Sequence, residues 1–343
     1  MKKKVVICTL YDSINCGTFL QAYSLKKFLE KKDYEVLFLK LKNNNTKINT
    51  KIQNMSLKTF LIKAIRKVKL HIIFKNNSKL FKTITLDELN SNDNIKNVII
   101  GSDEIWNVKN KSFTHYKEYF AYNFYKKNII SYAPSSNDST KSDILKVMGN
   151  INFNNFNYLS VRDEKTKNLL NSFECKNVED VLDPTMIIDN FDDIIKSVKL
   201  KKYILIYGHS FNDKQIEDIV GFAKKEGLKT LSLTKYFDWC NINKIASPGE
   251  FLSYIKNSEY VITSTFHGTV FSILYKKKFA VYANNGSKII DLLKKFSLND
   301  RLVSDSLEST LFSDINYKQI ECILKKMREK SINYLDKALD GGN

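Results

Sequence analysis

Of the four histidines in this sequence, one stands in a joint between two apolar runs, YVIT before it and VFSIL after it. YVIT reads as a short buried strand and TVFSILYKK as a helix, so Ser264, Thr265, Gly268 and Thr269 share the turn with His267. A helix N-terminus presents unpaired N–H groups to an anion, and open α/β sheets bind ligands at the carboxyl ends of their strands. An imidazole at that place can hold a phosphate or pass a proton. The plainer reading is a capping or packed histidine, which the same spacing would also give. His209 ends another strand and is a weaker copy of this case. His71 lies in a basic stretch and His115 among aromatics, and neither has such a context.

Other polar residues fall at the ends of expected strands. "YDSINCGT" places Asn15 and Gly17 just before a helix, but it is not GxGxxG, so a dinucleotide fingerprint is missing. "GSDEIWN" offers Gly101 for a tight turn, Ser102 and Asp103 at the strand end, and Trp106 either as core or as a platform for a sugar ring. Arg162 follows YLSV and is flanked by Asp163 and Glu164. It is either their ion-pair partner at a helix start or a bidentate fork for a carboxylate or phosphate. Asp183 in "LDPT" is a candidate base, although a turn acceptor at Pro184 is the simpler role. Cys16 is a candidate nucleophile with no base nearby in sequence. HExxH, GxxxxGK[ST] and a close carboxylate cluster are all missing, so the sequence supports neither a catalytic metal nor a P-loop.

These residues need elements to carry them, and the chain supplies strands and helices in alternation, the pattern of a mostly parallel α/β sheet. VVICTL, EVLFLKL, NVIIG, NIISYA and YLSVRD form a first series. KYILIYG, LKTLSLT, YVITS and KFAVYA form a second. The expectation is two Rossmann-like domains facing across a cleft: residues 1–190 on the acceptor side, residues 200–310 on the donor side, and an amphipathic helix over 313–339. At 343 residues, with 43% hydrophobic and 27% charged residues, a core of this size is feasible. MKKKVVICTL has the basic start of a secretory signal, but its apolar run is short and is broken at Asp12, so it reads as the first strand of a cytoplasmic protein. Five scattered cysteines with no CxxC pair fit reduced thiols.

The formal net charge is +18, and its distribution matters more than its size. From Val36 to Leu86 there are twelve Lys/Arg and no acidic residue. Within the basic insertion at about 42–86, "SLKTFLIKAIRKVKLHIIFKNNSKLF" has apolar residues at helical spacing with lysines between them. Such a helix lies on an anionic membrane, binds nucleic acid, or covers the domain with a solvated face. Stacking aromatics interleaved with Arg are missing, so nucleic acid is not expected.

Taken in order, "NCGTFLQAYSLKKFL", "IGSDEIWN", "ISYAPS", "LSVRDEKT", "VLDPT", "STFHGTVFSILYKKKFAVY" and "LLKKFSLNDRLV" closely resemble the polysaccharide pyruvyl transferase family over roughly residues 4–303. Two departures stand out. Thr265 replaces the usual Ser of SFHG, and Lys288 stands where the family often has Arg before the helix ending in LL. The resemblance implies a GT-B-like fold, no cofactor, phosphoenolpyruvate as co-substrate, and a cell-surface polysaccharide or its precursor as acceptor, joined as a pyruvate ketal. It implies His267 as general acid or phosphate ligand, Arg162 and Lys288 as holders of donor anions, with Ser264, Thr265, Gly268 and Thr269 beside them. Asn15, Gly17, Ser102, Asp103 and Trp106 would line the acceptor side, with Asp103 as base. A lipid-linked acceptor would suit a basic face held at the inner membrane leaflet. The rival readings are a GT-B glycosyltransferase using a nucleotide sugar, and a non-enzymatic basic polyanion-binding protein.

Overall fold

The structure, a computed structural model, describes residues 2–41, 57–111, 114–283 and 287–341. Near-continuous apolar runs such as VVIC, NVII, YILIY and YVIT cannot leave either face of a strand in water. Parallel sheets covered on both faces by helices are the arrangement that buries them. The N-terminal half runs β1 (Lys3–Cys8), α1 (Cys16–Lys31), β2 (Tyr34–Leu39), α2 (Leu57–Ser78), β3 (Thr83–Ile84), α3 (Leu86–Asn90), β4 (Ile95–Ile100) and β5 (Asn128–Ser131). It continues through α4 (Lys141–Met148), β6 (Ser160–Val161), α5 (Glu164–Ser172) and β7 (Glu179–Asp180). Five of these strands form a parallel sheet in the order β3-β2-β1-β4-β5, while β6 and β7 pair separately.

The C-terminal half runs β8 (Tyr203–Tyr207), α6 (Asp213–Lys225), β9 (Lys229–Leu233), β10 (Ile242–Lys244), α7 (Pro248–Asn257), β11 (Tyr260–Thr263), α8 (Phe266–Leu274) and β12 (Lys278–Val281). Then come α9 (Ser287–Lys295), α10 (Leu307–Phe312) and α11 (Tyr317–Asp340). Its parallel sheet has the order β10-β9-β8-β11-β12, so the two halves repeat one topology without repeating a sequence. Each sheet therefore has one switch point, between β1 and β4 and between β8 and β11. There the crossovers part to opposite faces and leave a crevice at the strand ends.

Caps fix where the helices start. Ser247 and Glu250 form a capping box with Pro248 in the first turn of α7, and Asn212 with Gln215 does the same for α6. One apolar core runs through both halves, from Val5, Phe19 and Tyr23 across Phe191 to Phe251, Phe271 and Val261. The last helix crosses back. Tyr317 of α11 donates to the Lys277 carbonyl in the C-terminal half (2.5 Å), while Tyr334 donates to the Ser131 carbonyl in β5 (2.8 Å). The Ser331 hydroxyl accepts the Leu182 N–H (2.9 Å), and Asn97 and Asn128 donate to the Leu339 and Ala338 carbonyls. Among the described residues, no helix is long and apolar enough to cross a membrane.

Candidate active site

Both switch points open on the same cleft. It has a volume of about 720 Å³, within the range of ligand pockets. Asn15, Thr18, Asp103 and Glu104 line it from the N-terminal half, and Ser264, Thr265, His267 and Lys288 from the C-terminal half. Gly208, His209 and Lys235 lie at the ends of β8 and β9 on its wall.

Two helix N-termini point into this space. Asn15 caps α1, its Oδ1 accepting from the N–H groups of Gly17 (2.8 Å) and Thr18 (3.3 Å). Thr265 caps α8, its Oγ1 accepting from the Gly268 N–H (3.0 Å). Gly17 and His267 meet here. A Cβ at Gly17 would collide with the imidazole Nδ1 and Cγ and come within 2.8 Å of the His267 Cβ. The glycine is thus the contact that lets α1 of one half approach the histidine of the other. At the end of β4, Gly101 adopts φ +113°, which a side chain would strain, and a Cβ there would strike the Tyr132 carbonyl.

Beneath the histidine lies a buried charge cluster. Arg162 donates from Nη1 to Asp183 Oδ2 (2.5 Å) and to the Ser102 hydroxyl (3.0 Å), and its Nη2 lies 3.7 Å from Asp103 Oδ1. Its guanidinium sits 4.6 Å over the Phe266 ring, and its Nε has no partner among the described residues. Asp183 uses its two oxygens differently. Oδ1 accepts from the Thr185 N–H (3.0 Å) and hydroxyl (2.7 Å), which makes the turn, while Oδ2 faces Arg162 and lies 3.7 Å from His267 Nε2. Burial pushes the Asp183 carboxyl up, but the His267 ring, the Arg162 charge and Thr185 outweigh it and hold the group well below the usual carboxylate range. His267 Nε2 is itself buried and makes no hydrogen bond among the described residues. Asp103, with a left-handed φ of +71°, accepts from the Thr18 hydroxyl (2.7 Å) and the Glu104 N–H (2.8 Å).

A second charge pair closes the cleft from the side. Lys288, at the start of α9, contacts the carboxylate of Glu104 across the two halves. Burial lowers its ammonium to about 8, with the Asp103 charge opposing that fall. Farther along α9, Lys295 binds Asp180 (2.5 Å) and the Arg162 carbonyl (2.9 Å).

His267, Arg162 and Asp103 therefore lie in one constellation, together with Asn15, Ser264, Thr265 and Lys288 on the cleft wall. Several expectations are corrected. Trp106 is fully buried among Phe120, Phe153 and Phe156, with its indole N–H donating to the Tyr119 carbonyl (2.7 Å), so no sugar can stack on it from the cleft. Gly17, Ser102, Gly268 and Thr269 are also buried rather than lining. The first two position His267 and Arg162, and the Thr269 hydroxyl is spent on the Thr265 carbonyl (3.0 Å). Arg162 pairs with neither flanking acid, since Asp163 caps α5 through the Thr166 N–H (2.9 Å). The Cys16 thiol is pushed up to about 12 by burial and is not a thiolate at neutral pH. Asp183 proves to be both the turn acceptor and a member of the charge cluster. Glu104 and Thr18 were missed, although Glu104 lies inside the GSDEIWN motif.

The family model for polysaccharide pyruvyl transferases matches residues 15–286. The chain belongs to that family. The match runs from the cap of α1 to just before α9 and includes β4, β8 and β11, which carry Asp103, Gly208 and His267 at their ends. Comparison with the curated proteins found no match. Among solved structures, the chain is similar to an alpha-glucosyltransferase in complex with UDP, with a TM-score of 0.51, 11% identity, and 98% of this chain and 95% of that one covered. It is equally similar to S. aureus MnaA in a co-structure with UDP, with a TM-score of 0.51, 12% identity, and 99% and 97% covered. At that identity the likeness shows the fold alone. This pyruvyl transferase family member has the GT-B-like arrangement of two Rossmann-like sheets.

Proposed function

We propose that the protein transfers a pyruvyl group from phosphoenolpyruvate to two hydroxyls of a saccharide, forming a cyclic ketal. The observation that carries this is the meeting of His267, its Nε2 unbonded, with the Arg162–Asp183 pair between two converging helix N-termini. The donor has a carboxylate and a phosphate, and the site answers with two dipole ends, the cations Arg162 and Lys288, and the imidazole of His267.

The chemistry balances with these groups. His267 Nε2, held beside Asp183, gives a proton to the CH₂ carbon of the enol phosphate. The adjoining carbon becomes oxocarbenium-like, and a sugar hydroxyl adds to it while Asp103 takes its proton. The C–O bond to phosphate then breaks and inorganic phosphate leaves. A second hydroxyl adds to the same carbon and closes the ketal, its proton passing to solvent. Fixed carboxylates near the developing positive centre and fixed cations around the leaving phosphate stabilise the charges as they form.

The test is a thermal-shift titration with phosphoenolpyruvate beside UDP, CMP and inorganic phosphate, on wild type and His267→Ala. A donor that binds the folded state raises the melting temperature with concentration. The expected result is a rise with phosphoenolpyruvate that shrinks in the variant. A rise with UDP and none with phosphoenolpyruvate would instead mark a nucleotide-sugar glycosyltransferase, which the fold also accommodates.

A further inference from the structure

One face of α2 has no role in the site, and no described residue covers it. Leu61, Ile65, Val68 and Ile72 are 51%, 56%, 60% and 55% exposed. Their spacing places all four in a strip about 60° wide along the helix. The opposite face is anchored: Leu70 and Phe74 are buried in the main core, so the helix is held in place and the strip is not the by-product of a loose segment. On the side, Arg66 donates to the carbonyls of Asn243 (3.2 Å), Thr234 (3.3 Å) and Lys244 (2.9 Å) in the other half. Thr234 and Lys235 belong to the cleft wall, so Arg66 ties this helix to the rim of the site.

The charge around the strip has one sign. Lys69 and Lys75 are exposed and flank it on either side, Lys79 is exposed just past its end, and the sequence has no acid from Val36 to Leu86. An apolar strip bordered by cations fits a surface with hydrocarbon just below a layer of negative charge. We propose that α2 docks the protein on an anionic lipid bilayer, laying Leu61, Ile65, Val68 and Ile72 into the headgroup boundary with Lys69 and Lys75 against lipid phosphates. The docking holds the cleft rim near the membrane, where a lipid-linked saccharide would be met, yet it stands whether or not the reaction is pyruvyl transfer. A nucleic acid would use the lysines but leave the apolar strip in water.

The test is co-sedimentation of the full chain with vesicles of phosphatidylcholine alone and of phosphatidylcholine mixed with phosphatidylglycerol. Wild type should pellet with the mixed vesicles only, and added salt should weaken binding. Ile65→Ser/Val68→Ser/Ile72→Ser should cut partitioning at least about tenfold. Lys69→Gln and Lys75→Gln should each cut it about fivefold. Circular dichroism should be unchanged, because every altered side chain is exposed. As a check that keeps the buried framework intact, Val68→Cys carrying a polarity-sensitive fluorophore should shift to the blue on mixed vesicles. Equal binding to both vesicle types, wild-type binding by the triple serine variant, or no blue shift would overturn the proposal. So would a wild-type dimer that the serine variant turns into a monomer, since a second copy would then be the cover.

Discussion

At the scale of single residues, the site depends on what is small as much as on what is charged. Gly17→Ala puts a methyl group into the His267 ring and its Cβ, so the histidine must move rather than rotate at its tip. A displacement of about 1 Å in a catalytic group costs on the order of 10²-fold in rate. We expect kcat to fall by about that factor and stability to fall by about 1–3 kcal/mol from the overpacking, and a folded enzyme of near-normal kcat would show that His267 is not the proton donor. Asp183 makes a statement about acid. Its folded pKa lies below its unfolded value, so the unfolded chain binds more protons and stability is lost as pH falls below about 4. Asp183→Asn should flatten that acid limb and, by leaving Arg162 with a weaker partner, cost about 3–5 kcal/mol at neutral pH in urea unfolding. Lys288 predicts the alkaline side. If its charge holds a donor anion, kcat/KM should fall as pH rises through about 8, and Lys288→Arg should carry the limb to higher pH. A limb unmoved by that change would assign it to another group.

At the scale of elements, the cleft exists because two sheets of the same topology turn their switch points toward each other. The strands that carry Asp103 and His267 were legible because their apolar runs are bounded by glycine, serine or threonine, and the helix starts because their caps are local chemistry. The edge strands β3 and β10, two and three residues long, were not legible, since so short a pairing leaves no period to read. Trp106 misled for a related reason. Its neighbours Phe120, Phe153 and Phe156 are distant in sequence, and nothing near position 106 tells a sugar platform from a core anchor. Asp183 was half read, because Thr185 sits two residues away whereas Arg162 and His267 reach it only through the fold. The crossing helix makes its own prediction. Ser331→Ala leaves the buried N–H of Leu182 without its acceptor and should cost about 1–3 kcal/mol by denaturant unfolding, even though the residue is far from the cleft along the chain. A cost near zero would mean that α11 adds little to the N-terminal half.

At the scale of the whole molecule, the two halves share one core and polar ties across the junction, among them Glu104–Lys288, Asp180–Lys295, Arg66 with the Lys244 carbonyl, and the Glu164 N–H with Asp291 (3.1 Å). Calorimetry should therefore show one unfolding transition whose van't Hoff and calorimetric enthalpies agree, and two resolved transitions would contradict a shared core. The crossing of α11 has a further effect during synthesis. Ser131, Asn97 and Asn128 leave the ribosome early, yet the residues that satisfy or cover them emerge about two hundred positions later. At ordinary translation speeds that is a wait of roughly 10–40 s. Through it the first half stands with its sheet built and one flank bare. Until α11 arrives, the polar groups of that flank are open to water, and a nonsense codon shortly before Tyr317 would leave them bare for good.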